Sequence, residues 1–198
     1  MAASADPTVP SADERRARFE RVADDFDRLV QLVPDERWDA ASPCEGWRAV
    51  DVLTHVVDTE CDLLGRMGFE QPDVEGLTPV AAWQRTRAAM SAAMADPIRN
   101  DHAYDGYFGP TTFGRTVDDF YSFDLVVHRW DIARATGLRD HEAIAADLID
   151  WLRTGADGFG DALRMPGICG PEVTLAEGAS PQDRLLAWLG RDPSSPAG

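Results

Sequence analysis

The stretch TVDDFYSFDLVVHRWDIARATG, Thr116–Gly137, decides the fold. Thr116 suits a helix N-cap, Asp118 and Asp119 favour the first turn, and Gly137 tolerates a left-handed C-terminal cap. Between those ends the stretch reads as one long helix. At 100° per residue, Ser122, Arg129 and Thr136 share one narrow arc, the expected solvent side. Phe120, Phe123, Val127 and Trp130 cover one flank; Leu125 and Ile132 cover the other. Opposite the arc runs the row Val117, Tyr121, Asp124, His128, Asp131, Ala135. That row points two acids and an imidazole inward, and burying charge without a partner is costly.

Outward from this helix the pattern stays helical. Phe19, Val22, Phe26, Leu29 and Val33 recur at helical spacing over about Asp13–Val33. Trp47, Val50, Leu53, Val57, Cys61 and Leu64 make the main stripe of a second helix, about Arg48–Met67, with Val52, Val56 and Leu63 as a second row. Thr78-Pro79 opens a third helix, which carries Trp83, Thr86, Met90 and Met94 inward and stops near Asp96-Pro97. Residues 98–115 have no helical period and read as a long crossover or short hairpin. A further helix is expected over about Glu142–Arg164. Ser180-Pro181-Gln182-Asp183 starts a short last one that ends at Gly190. The fold class is therefore all-α, with four long helices suited to a bundle. Residues 1–12 are expected to be disordered, 13–138 to form the bundle, 139–193 to add a C-terminal helical extension, and 194–198 to be a loose tail.

The chain has 198 residues, enough for one good-sized domain. Its 35 acids against 19 bases give a charge of −16, and every base is Arg. That acidity argues against nucleic acid and against an anionic membrane as partners. No apolar run is long enough to span a bilayer, and the N-terminus lacks a signal-peptide core. Cys44, Cys61 and Cys169 are odd in number and match no CxxC pattern, so reduced thiols in the cytoplasm are expected.

Asp124 and His128 are four residues apart on one helix face, a half-site for zinc or a nickel-like metal. A third ligand must come from elsewhere. His102 lies in the crossover and His141 just past a helix end, which leaves mid-helix His55 as the best candidate. His55, Asp124 and His128 would supply two imidazoles and a carboxylate and leave at least one open coordination position. The same pair also reads as a plain ion pair, and His55 as a satisfied structural residue. Asp131 is placed either to orient the second ring nitrogen of His128 or to pair with Arg129 or Arg134. Cys61 reads as an inert small hydrophobe, and Cys44 as an exposed loop thiol. There is no Ser/His/Asp order, no phosphate-binding glycine loop, no HExxH and no pair of Glu-x-x-His motifs.

Three segments carry a resemblance: SPCEGWRAVDVLTHVV (Ser42–Val57), DLVVHRWDIARATG (Asp124–Gly137) and ASPQDRLLAWLGRDP (Ala179–Pro193). Together they resemble the DinB/YfiT-like metal-binding family of actinobacteria, which includes the metal-binding domain of mycothiol-dependent maleylpyruvate isomerase. The resemblance implies a four-helix bundle holding a divalent metal, zinc first and nickel second, on His55, Asp124 and His128. The family commonly has Glu where this chain has Asp124, so this ligand acts directly or through a water. It further implies mycothiol, a low-molecular-weight thiol, as cosubstrate of a transferase or isomerase. The isomerase carries a further C-terminal domain where this chain has a short helical addition, so isomerisation of maleylpyruvate itself is not implied.

On this reading Asp58 or Asp131 supports a metal ligand from behind. Tyr104, Tyr107, Phe108 and Phe113 are candidates to line a substrate pocket, from composition and loop length. The expected partners are a small-molecule thiol and its substrate, with no nucleic acid and no membrane, in a monomer or homodimer. The competing reading is a non-catalytic metal-binding or regulatory module of the same fold.

Overall fold

Helix α1, Ala12–Leu32, begins with a reciprocal cap. The Glu14 backbone N–H donates to Ser11 Oγ at 3.3 Å, and Glu14 Oε2 accepts from the Ser11 N–H at 2.8 Å. The computed structural model describes residues 10–165 and 168–195. The disorder expected of residues 1–9 and the end of the tail at 196–198 lie outside the described residues. Ser11 and Ala12 belong to the start of α1.

The later elements are α2 (Ala49–Arg66), α3 (Pro79–Ala95), α4 (Pro97–Asn100), β1 (Ala103–Gly106), β2 (Gly109–Thr112), α5 (Phe113–Thr116), α6 (Phe123–Thr136), α7 (Ala146–Phe159) and α8 (Pro181–Trp188). The fold is all-α and DinB-like apart from the β1–β2 hairpin, which is antiparallel with Ala103 opposite Thr112. None of the described helices is long and apolar enough to cross a membrane.

The chain divides into two compact units. One takes the chain up to Arg28 together with Thr54–Leu125; the other takes Leu29–Leu53 and the chain from Val126 on. The divisions fall inside α1, α2 and α6.

In the first unit, α1 and α3 meet through Phe26 and Trp83, whose rings stand edge to face at 4.7 Å. Trp83 is fully buried, and its Nε1 donates to Asp27 Oδ1 at 3.1 Å, which satisfies the one polar atom of the indole. Met90 and Met94 are buried on the same helix, as the helical spacing predicts. Gly114 stands hard against Asn100: a Cβ there would come within 2.1 Å of the Asn100 side-chain oxygen. Asn100 is itself held by donating to the Met94 carbonyl at 2.9 Å.

Between α5 and α6, residues Val117–Ser122 form a π-helical segment. The cap expected at Thr116 is at Thr112, whose side chain accepts from the Arg115 N–H. Thr116 lies within the helical run, and its hydroxyl bonds that of Tyr104 at 2.6 Å. The wider π turn shifts the phase of everything before Phe123 relative to a uniform 100° per residue. Ser122, expected in solvent, is consequently buried.

In the second unit, every residue from Trp130 to Thr136 is buried, so α6 has no solvent stripe there. Thr136, also expected in solvent, satisfies its hydroxyl on the Ile132 carbonyl at 2.8 Å. Gly137 does close α6, with φ +78° and a Leu138 N–H to Ala133 carbonyl bond of 2.9 Å. The expected helix over about Glu142–Arg164 is shorter: α7 ends at Phe159, and a 3-10 turn follows over Gly160–Arg164.

Helix α8 starts as expected, with the Asp183 N–H donating to Ser180 Oγ. It closes on Gly190 at φ +81°, with the Arg191 N–H bonded to the Leu186 carbonyl at 2.9 Å. The residues after this cap are held in place. Arg191 is buried, Arg134 Nη2 donates to the Pro193 carbonyl, and Asp192 accepts from the Ser194 N–H at 2.8 Å.

Candidate metal centre

The cap of α8 delivers Arg191 to Asp131 of α6. Its Nε donates to Oδ1 at 3.3 Å and its Nη2 to Oδ2 at 3.0 Å. Oδ2 also lies 2.9 Å from His128 Nδ1 and 3.4 Å from Cys44 Sγ. Asp131 is completely buried. Burial alone would raise its pKa, but the Arg191 charge and the hydrogen bond from His128 outweigh it and hold the carboxyl well below the usual range. An ionised Asp131 accepts only, so His128 Nδ1 is the donating nitrogen; in a neutral ring this leaves the lone pair on Nε2. Asp131 is thus bonded to both His128 and Arg191. Arg129 donates to the carbonyls of His141 and Ala143, and Arg134 lies 3.5 Å from Glu142.

Asp124 sits in the first turn of α6 and His55 in α2, within the same unit. Their ligand atoms lie within 4.8 Å of each other, and along α6 those of Asp124 and His128 do as well. Ligands on one zinc ion at about 2.0–2.2 Å stand about 3–4 Å apart, a separation close to that of each of these two pairs. Two imidazoles and a carboxylate suit a borderline divalent metal, and a His128 fixed through Nδ1 is the usual support for such a ligand. The donor set fits.

The remaining expected residues are dispersed. Asp58 is exposed on α2, His102 is exposed before β1, and His141 is half-buried after α6. Tyr107 and Phe108 are exposed at the hairpin tip, with Phe108 stacked on Phe120 at 6.0 Å. Phe113 is fully buried against Phe69 at 5.2 Å, and the Tyr104 hydroxyl is engaged by Thr116. Cys44 is half-buried beside Asp131 and Arg191 rather than exposed. Cys61 is half-buried beside Thr86, with burial pushing its thiol pKa up, in keeping with an inert role.

Two residues escaped the sequence reading. Arg191 follows the Gly190 cap, and a charged residue directly after a cap glycine was the available signal. Glu60 occupies the slot between Val56 and Leu63 in the second apolar row of α2, four residues after one and three before the other. An acid in that slot is necessarily buried, and it is 1% exposed.

Residues 19–79 match the family model of the mycothiol maleylpyruvate isomerase N-terminal domain. The chain is related to that domain family. The match takes in Cys44 and His55 and stops before α6, so Asp124, His128, Asp131 and Arg191 lie outside it. No curated protein matches the chain, and no solved structure does.

Proposed function

We propose that this protein binds a divalent metal, zinc foremost, through His55, Asp124 and His128. We further propose that it uses mycothiol in a transferase or isomerase reaction. The reading is supported by the proximity of His55 to Asp124, by the i, i+4 placing of Asp124 and His128 on α6, and by the Asp131 bond to His128 Nδ1. The relation to the isomerase N-terminal domain supports the choice of thiol. A bound ion would favour the thiolate of the cosubstrate, its nucleophilic form. The chain's own part is positional. Arg191 holds Asp131 ionised, Asp131 fixes the His128 ring, and the short arm of Asp124 leaves room for a water or a sulfur beside it. A cytoplasmic location goes with this reading, since thiol chemistry and three free cysteines belong in a reducing compartment.

Elemental analysis of protein purified without a histidine tag tests the metal. A protein that carries none and takes none up overturns the reading. A cobalt-substituted form then tests the thiol: mycothiol is expected to change its absorption spectrum. An unchanged spectrum on a cobalt-loaded protein overturns the thiol-dependent enzyme and leaves the non-catalytic metal-binding module.

A further inference from the structure

The segment before α8 walls a groove. Residues 172–179 form one side of it, and Arg153 of α7 with Arg184, Ala187 and Trp188 of α8 form the rest. All of these belong to the second unit. The segment is fixed at both ends: the Val173 N–H donates to the Ala187 carbonyl at 2.9 Å, and Arg184 Nη1 donates to the Ala179 carbonyl. The groove has a volume of about 770 Å³, within the range that small-molecule sites take.

Four charged side chains line it: Arg153, Arg184, Glu172 and Glu177. Among the described residues no ion pair joins any two of them, and the side chains of Arg153, Glu172 and Glu177 make no hydrogen bond. An exposed charge is ordinarily satisfied by water. These charges, however, share their groove with an apolar wall, in which Leu175 and Trp188 are half-buried. Arg164 lies 5.9 Å from the Trp188 ring and donates to the Trp188 carbonyl at 2.6 Å, which holds the indole in place.

The balance of signs selects the ligand. A purely anionic molecule would meet Glu172 and Glu177, and a purely cationic one would meet both arginines; like charges set against each other are unfavourable. A guanidinium grips a carboxylate through two parallel bonds, and carboxylates suit an ammonium. Going beyond the metal reading, we propose that this groove binds a free amino acid with an apolar side chain, as its zwitterion. Arg153 takes the carboxylate, Glu172 and Glu177 take the ammonium, and Leu175 and Trp188 take the side chain.

Full-length protein is titrated calorimetrically with L-phenylalanine, with hydrocinnamate, which lacks the ammonium, and with phenethylamine, which lacks the carboxylate. L-phenylalanine is expected to bind with a Kd of about 1 mM or below, and each singly charged analogue about tenfold or more weakly. Arg153→Gln is expected to abolish the advantage of L-phenylalanine over phenethylamine, and Glu172→Gln combined with Glu177→Gln its advantage over hydrocinnamate. All three residues are exposed, so the urea midpoints of the variants are expected to match wild type. No saturable binding of L-phenylalanine up to about 10 mM overturns the proposal. So does either analogue binding as tightly as L-phenylalanine, since the groove would then serve a single charge. Unchanged L-phenylalanine affinity in both variants places the amino acid elsewhere and overturns it too. None of these results bears on zinc binding by His55, Asp124 and His128, and a protein that takes up no zinc would leave the groove untouched.

Discussion

Arg191 and Asp131, sixty residues apart in sequence, meet in a two-point ion pair in which the carboxylate has no solvent exposure. Removing the cation strands a buried charge. Arg191→Met is therefore expected to cost about 3–5 kcal/mol at neutral pH, measured as a fall in the urea midpoint. A loss within the range of an exposed ion pair, below about 1 kcal/mol, would contradict the burial described here.

The same carboxylate holds His128 through Nδ1. Asp131→Asn keeps the shape but removes the charge and can leave the ring free to turn. Zinc affinity is expected to fall roughly ten- to a hundredfold. Chelator competition reads this directly, and unchanged affinity would mean that the imidazole is oriented by something else.

Asp118 gives a pH dependence of definite sign. Arg18 Nη1 reaches its Oδ2 at 2.7 Å, yet burial dominates and pushes the carboxyl from 3.8 up to about 6. The folded state thus holds this proton more tightly than the unfolded chain does. Its contribution to stability is fully present below about pH 4 and is lost as pH rises through 6, by up to about 3 kcal/mol. Asp118→Asn cannot ionise. Across pH 4 to 6 the stability of wild type is expected to decline relative to that of the variant, and parallel urea midpoints would refute the assignment.

The sequence carried the helices because their signals are local. Thr78-Pro79, Ser180-Pro181 and Gly137 each fix a helix end through their own geometry, and the structure puts those ends where the sequence predicts. What a uniform helical projection misses is non-local or cumulative. The π segment adds a phase error that buries Ser122. The burial of Thr136 depends on elements packed around α6, which no spacing within α6 records. At the candidate site, the Asp124–His128 spacing and the Asp131–His128 contact follow from i, i+4 and i, i+3 geometry. Arg191 and Cys44 arrive from distant segments, so nothing near His128 in sequence announces them. Glu60 stands as an acid in an apolar row of α2, a signal that the sequence reading passed over.

Gly190 positions Arg191, and a comparison with Gly178 isolates how. Both glycines have positive φ, +81° and +85°. An L residue in that conformation costs about 1–2 kcal/mol, so Gly178→Ala is expected to lose about that much. A Cβ at Gly178 would meet nothing within 4 Å, whereas one at Gly190 would lie 2.9 Å from the Gly170 backbone. Backbone cannot swing aside as a side-chain tip can, so Gly190→Ala carries an overpacking cost of about 1–3 kcal/mol in addition. The displacement would also be passed to Arg191, one residue on, and through it to Asp131. Gly190→Ala is therefore expected to lose more stability than Gly178→Ala and, unlike it, to weaken zinc binding. Equal urea midpoints and equal zinc affinities in the two variants would show that the cap of α8 does not set the position of the guanidinium.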